Sequence, residues 1–164
     1  MKKGTAIMKI TASQLRKIIK EEIGRFLQET NEVHGEANTI DLGEGFTLSW
    51  GDNNLGNPEV EITYNGNQIG FANAYAWDNE GTDLGPDDYF VNSLYIEEPF
   101  RRMGFGKWII LALSEAVKEH TGNPSAKLYP ADWIDRKEPD YRPGKSGTSL
   151  DALRVWKSFG GGPI

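Results

Sequence analysis

Leu94-Tyr95-Ile96-Glu97-Glu98-Pro99-Phe100-Arg101-Arg102-Met103-Gly104-Phe105-Gly106-Lys107 is the stretch on which the fold turns. It reads as an apolar strand, a turn carrying one proline and two glycines, and the start of a helix. Successive backbone N–H groups in such a turn, with a helix dipole behind them, converge on one spot and make a cradle for an anion. Glycines let that anion approach the backbone, and Arg101, Arg102 and Lys107 add positive charge. Two common phosphate loops do not fit. A Walker loop ending at Gly106-Lys107 needs glycine at 101 and Ser or Thr at 108, where Arg101 and Trp108 stand. A dinucleotide fingerprint beginning at Gly104 needs glycine at 109, which is Ile109.

On either side the periodicity changes. Upstream, Phe46, Leu48 and Trp50 alternate with Thr47 and Ser49, and Val60, Ile62 and Tyr64 alternate with Glu61 and Thr63, the period of half-buried strands. Asn65-Gly66 then gives a hairpin signal, and Ile69 to Trp77 forms the return strand. Asp78 to Asp88, with five acids, two glycines and a proline, reads as a loop. Downstream, Gly106 to His120 carries Trp108, Ile109, Ile110, Leu111, Leu113, Ala116 and Val117, too long and apolar for anything but a buried helix, and Thr121-Gly122 ends it. Ala126 to Tyr129 is expected to be a short strand, Pro130 to Thr148 a long loop, and Ser149 to Phe159 a last helix. Near the start, Thr11 precedes Gln14 in a capping-box arrangement. Leu15, Ile18, Ile19, Ile23 and Phe26 then share one face of an amphipathic helix over 11–28. Three parts are expected: that helix within 1–29, a linker over 30–43, and one domain over 44–164, of the α/β (α+β) class with a mainly antiparallel sheet flanked by helices.

Composition bounds the chemistry. The chain has 164 residues, a size at which a single core is sustainable, and 38% of them are hydrophobic. With no cysteine, disulfides and thiolate chemistry are excluded, and His34 and His120 stand too far apart for a helical metal pair, so no metal site is expected. No membrane span or secretory leader is legible, so a cytoplasmic setting is expected. The net charge of −6 hides three blocks. Residues 1–29 carry seven Lys/Arg against three acids, residues 30–100 carry fourteen acids and no Lys or Arg, and residues 101–164 carry eleven basic residues against seven acids. An acidic middle argues against a nucleic-acid binder, whose footprint is broadly basic.

Arg101-x-x-Gly104-x-Gly106 between an apolar strand and a long helix resembles the acyl-CoA-binding motif of the GNAT superfamily of N-acetyltransferases. Ala152-Leu153-Arg154-Val155-Trp156-Lys157-Ser158-Phe159-Gly160 is similar to that family's closing helix. The resemblance implies a splayed parallel strand pair, 90–96 with 126–129, forming an acyl-CoA cleft, and transfer of acetyl from acetyl-CoA to a primary amine. It also implies that the backbone of Leu94, Tyr95 and Ile96 pairs with the pantetheine. Arg101, Arg102, Met103, Gly104, Phe105, Gly106 and Lys107 would hold the pyrophosphate. Coenzyme A would then lie on the basic C-terminal block, while the acidic block faces an amine arriving as a cation.

Two departures stand out. Many members place a proton-donating tyrosine on the last helix, where this chain has Trp156, and a basic carboxylate on the central strand, where Val91 to Ile96 has none. Asp88 is therefore the expected water-mediated base, with Tyr129, Asp132 and Tyr141 as expected substrate contacts. The segment from Met8 through Ile23 also resembles a leader on small proteins of marine tailed bacteriophages, which implies a viral origin, a host-cytoplasm or virion location, and docking of the first helix on a protein partner. The alternative function is accordingly a non-catalytic binding or virion-associated module of the same fold.

Overall fold

The computed structural model describes residues 38–77, 84–101, 103–145 and 148–164. The chain divides into two units, 1–34 and 35–164. The expected N-terminal helix and most of the acidic loop lie outside the described residues. All that follows concerns the second unit.

Six strands form one sheet in sequence order: β1 (Asn38–Gly43), β2 (Phe46–Asp52), β3 (Pro58–Tyr64), β4 (Asn67–Ala76), β5 (Asp88–Ile96) and β6 (Lys127–Tyr129). The first five are antiparallel to their neighbours, and β5 and β6 run parallel. Between these last two lies the helix α1 (Phe105–Thr121), and α2 (Leu150–Lys157) follows β6. This is the mixed, mainly antiparallel sheet with flanking helices that the sequence pattern indicates.

Local chemistry accounts for the junctions. Asn65 and Gly66 both take positive φ, 49° and 80°, which the tight β3–β4 hairpin requires and which this pair tolerates. Ser149 caps α2 by accepting the N–H of Ala152, and α1 ends on Gly122 at φ 68°. Residues 38–43 correct the expected linker: they form an edge strand paired to β2. Ile40 is the only buried side chain there, so the strand is held by ladder hydrogen bonds rather than by an alternating apolar pattern.

One face of the sheet carries the core. Leu48, Trp50, Val60, Ile62, Ala72 and Ala74 are each at most 2% exposed. The small alanines on β4 leave room for α1, whose Ile109, Ile110, Leu113 and Val117 are wholly buried against the sheet. Among the described residues no helix is long and apolar enough to cross a membrane. Leu113→Ala should lower stability by about 2–5 kcal/mol, read as a shift of the urea midpoint at unchanged slope; a loss under about 1 kcal/mol would mean that α1 is not packed as described.

Candidate functional site

The site begins where β5 ends. Glu98–Phe100 makes one 3-10 turn containing Pro99, and Arg101 closes it by donating its N–H to the Glu98 carbonyl. The Arg101 side chain folds back, its Nε donating to the Ile96 carbonyl at 2.8 Å, which holds the guanidinium beside the strand end. Gly104 then takes φ 89° at the start of α1. The first N–H groups of a helix have no intrahelical acceptor, no side chain caps them here, and no acid stands in the first turn, so the positive end of the dipole is left open. A Cβ on Gly104 would meet nothing within 4 Å, which leaves space over the backbone for a ligand. Gly106 has a different role: a Cβ there would stand 3.0 Å from Val155 Cγ2, so the glycine lets α2 press against the start of α1.

Together these elements enclose a groove of about 530 Å³. Its strand wall is Leu94, Tyr95 and Ile96; its end is Arg101, Gly104, Gly106 and Lys107. Seven of the ten residues that the sequence assigns to acyl-CoA thus meet in one place. Of the other three, Arg102 lies outside the described residues, and Met103 is half-buried and not in the groove wall. The Phe105 side chain turns into the core, its ring 5.1 Å from Phe46 and 6.3 Å from Trp108, so only its backbone can serve. The opposite wall comes from α2 through Ala152 and Val155, with Arg154 and Asp151 in an ion pair at 3.2 Å on the rim. Sequence reading missed this wall, although the closing-helix resemblance already pointed to it.

The groove follows an unpaired strand edge. β6 pairs with β5 only through Asp88, Tyr89 and Phe90, so from Val91 to Ile96 that edge has no strand partner. Its backbone groups are free to pair with an extended, amide-bearing chain. An uncapped helix N-terminus, flanking cations and a free strand edge in continuity fit a pyrophosphate carrying a pantetheine arm.

A second groove of about 370 Å³ continues from the first, sharing Leu94, Tyr95, Ser149 and Ala152. The residue pairing shifts between Asn73/Ala74 and Ser93/Val91, leaving Asn92 as an extra residue in β5. In consequence Val91 and Leu94 lie on the α1 face, across from Ala74 and Ala72, while Ser93 and Tyr95 face the other way, across from Asn73 and Phe71. The groove takes walls from both faces, passing through the gap where β5 and β6 part. Trp156, 1% exposed, closes it at the position where a tyrosine was looked for.

The other expected site residues do different things. Asp88 opens β5, six residues before Leu94 but only three before Val91 of the second groove, roughly 10 Å along an extended strand. Its Oδ2 accepts the Gly85 N–H at 2.7 Å, which closes a turn, and Asp88 lines neither groove. Asp132 is wholly buried and forms the hub of a network. Its carboxylate accepts from Arg136 Nη2 at 3.0 Å and from the Tyr141 hydroxyl at 2.5 Å, and its N–H donates to Thr148 Oγ1 at 3.1 Å. Arg136 in turn donates to the Gly161 carbonyl at 2.6 Å, and Gly161 donates its N–H to the Trp156 carbonyl at 2.8 Å. Tyr141 is occupied within this network; burial, then its bond to Asp132, holds its phenol above the ordinary range. Tyr129 is buried beside Trp133 and Trp77, and burial followed by the charge of Asp88 raises its phenol as well. Neither tyrosine lines a groove.

The model of the acetyltransferase (GNAT) family matches residues 21–132. Among solved structures, the chain is similar to one assigned as a GNAT-family acetyltransferase from Desulfovibrio desulfuricans, at 13% identity and TM-score 0.37, over 74% of this chain and 57% of that one. It is also similar to the ribosomal-protein-S18-alanine N-acetyltransferase of Escherichia coli, at 13% identity and TM-score 0.42, over 93% of this chain and 74% of the other. The chain thus spans little more than half the length of the first. No curated protein matches. Both structural likenesses are partial, and the family model carries the assignment.

The hub predicts a stability effect separable from ligand binding. Asp132→Ala, which strands Arg136 and Tyr141, should cost about 3 kcal/mol in urea unfolding, whereas Tyr141→Phe should cost only about 1 kcal/mol. Equal losses would show that the carboxylate is not the centre of the network.

Proposed function

Because the chain belongs to the acetyltransferase (GNAT) family, and so to the N-acetyltransferases, we propose that it transfers acetyl from acetyl-CoA to the primary amine of a small molecule or protein. The observation that carries this reading is the continuity of the open helix N-terminus at Gly104 with the unpaired edge of β5 and the gap before β6.

Acetyl-CoA supplies, when bound, a thioester carbonyl whose carbon accepts the amine and whose sulfur leaves. The chain's part is to hold the two reactants. N–H groups at the start of α1, with Arg101 and Lys107, receive the pyrophosphate, and the glycine at 104 keeps the backbone approachable. The free edge of β5 aligns the arm so that its end reaches the second groove. There the amine nitrogen forms a bond to the acyl carbon, the carbon–sulfur bond breaks with its electron pair passing to sulfur, and one amine proton is transferred overall to the thiolate. The products are an amide and a thiol. Among the described residues no carboxylate lines the second groove; proximity and the open backbone edge supply the rate, with Asp88, three residues before Val91, as the proposed water-mediated base. Trp156 packs at the place of transfer but offers no practical acid. The proposed setting is the cytoplasm, with residues 11–28 as a docking element for a protein partner, both carried by the sequence alone.

Calorimetric titration with acetyl-CoA tests the reading. Saturable binding that weakens with salt is expected; no binding at millimolar ligand leaves only a non-catalytic module of the same fold. Arg101→Ala and Gly104→Ala should each weaken affinity about tenfold, some 1.4 kcal/mol, without unfolding the domain. Trp156→Tyr should leave affinity unchanged and raise turnover if protonation of the leaving thiolate limits the rate.

A further inference from the structure

Positive charge enters the acyl-CoA groove from two elements. Arg101 and Lys107 line it at the entry to α1, and Arg154 lines it from α2. The two elements meet where Gly106 lets Val155, the chain neighbour of Arg154, press against the start of α1. Arg154 therefore stands beside the open helix terminus rather than at a remote part of the groove. Its guanidinium already has a partner: Nη1 donates to Asp151 Oδ1 at 3.2 Å, one turn back on α2, and Asp151 lines the same groove. The two side chains are 73% and 74% exposed. An ion pair so exposed is screened by water and salt and costs little to open.

Building on the acetyl-transfer reading, we propose that Arg154 is a second phosphate contact for coenzyme A, and that Asp151 competes with the phosphate for it. Coenzyme A brings a pyrophosphate and a ribose phosphate. The open start of α1 with Arg101 offers one focus for these anions, and Arg154 on the opposite wall offers another. The planar fork of a guanidinium matches phosphate oxygens as well as it matches a carboxylate, so the ligand can take the place of Asp151. Once released, Asp151 still stands in the first turn of α2, where a carboxylate is favourable to the helix dipole. It also remains in the groove wall as a like charge to the incoming phosphates. Arg154 and Asp151 thus act on affinity with opposite signs. A pair that merely braced α2 would act with the same sign, because removing either member breaks the same contact.

The test is calorimetric titration of acetyl-CoA into the full chain and its variants. Arg154→Ala should weaken binding about tenfold, and Arg154→Lys, which keeps the charge without the fork, should weaken it less. Asp151→Asn should tighten binding about threefold, and that gain should shrink when residue 154 is already alanine, since the two positions are coupled. Raising the salt concentration should narrow the gap between wild type and Arg154→Ala. Arg154→Gln serves if the alanine variant loses its helical circular dichroism. Unchanged affinity in Arg154→Ala overturns the proposal, and so does unchanged or weakened affinity in Asp151→Asn. Failure of the wild-type chain to bind acetyl-CoA at all would instead remove the acetyl-transfer reading beneath it.

Discussion

β5 and β6 share only three paired residues, Asp88, Tyr89 and Phe90 against Lys127, Leu128 and Tyr129, and the whole site follows from where that pairing stops. A buried parallel pair normally continues, because every unpaired N–H and C=O removed from water carries a cost. Here Asn92 intervenes as an extra residue in β5, two residues beyond the last position paired with β6. A bulge bends its strand and raises the local twist, so the residues after it leave the line that β6 could follow. The edge from Val91 onward is then available to a ligand that brings its own amides. α1, leaving the end of β5, packs across the sheet's inner face, most closely on β3, β2 and β4 and also on β6 and β5.

A gap between strands is useful only if its second wall is fixed. That wall consists of α2 and the long loop before it, elements with few ladder hydrogen bonds of their own. Asp132 supplies the rigidity. One buried carboxylate gathers Arg136 and Tyr141, and Arg136 passes the constraint through Gly161 to the backbone of Trp156. Beyond them, Ile164 exchanges backbone hydrogen bonds with Leu128 at 2.8 and 3.0 Å, which anchors the chain's last residues along the outer side of β6. The Asp132 carboxylate and the Tyr141 hydroxyl are both engaged in this network. Within the network Arg136 Nε alone among the guanidinium nitrogens is buried without a partner, while both terminal nitrogens are engaged.

Much of this was legible in the residues. The alternation in β2 and β3, the Asn65-Gly66 turn, the apolar run of α1 and the Ser149 cap are local signals, and each element formed where its signal stood. The cradle was legible for the same reason, since glycine spacing, a strand before and a helix after are all contiguous. β1 was not, because a strand with a single buried residue has no period to read; only its partner β2 defines it. The burial of Asp132 was not legible, because a carboxylate in a polar loop has the same local signature whether it faces a substrate or is sealed among side chains four and nine residues away.

The charge pattern illustrates the same limit. Fourteen acids and no Lys or Arg over residues 30–100 suggest a negative wall facing the amine, yet among the described residues none of them lines the second groove. Asp52 is paired with His120, Asp87 with Asn123 and Asp88 with its own turn, while Glu97 and Glu98 are exposed beside the cradle. The described ones among these charges set a field around the molecule and line no part of the second groove. At physiological ionic strength that field decays over about 8 Å. It can draw an ammonium toward the surface before any contact is made, because a field of one sign raises the local concentration of its counter-ion without needing a partner in the groove.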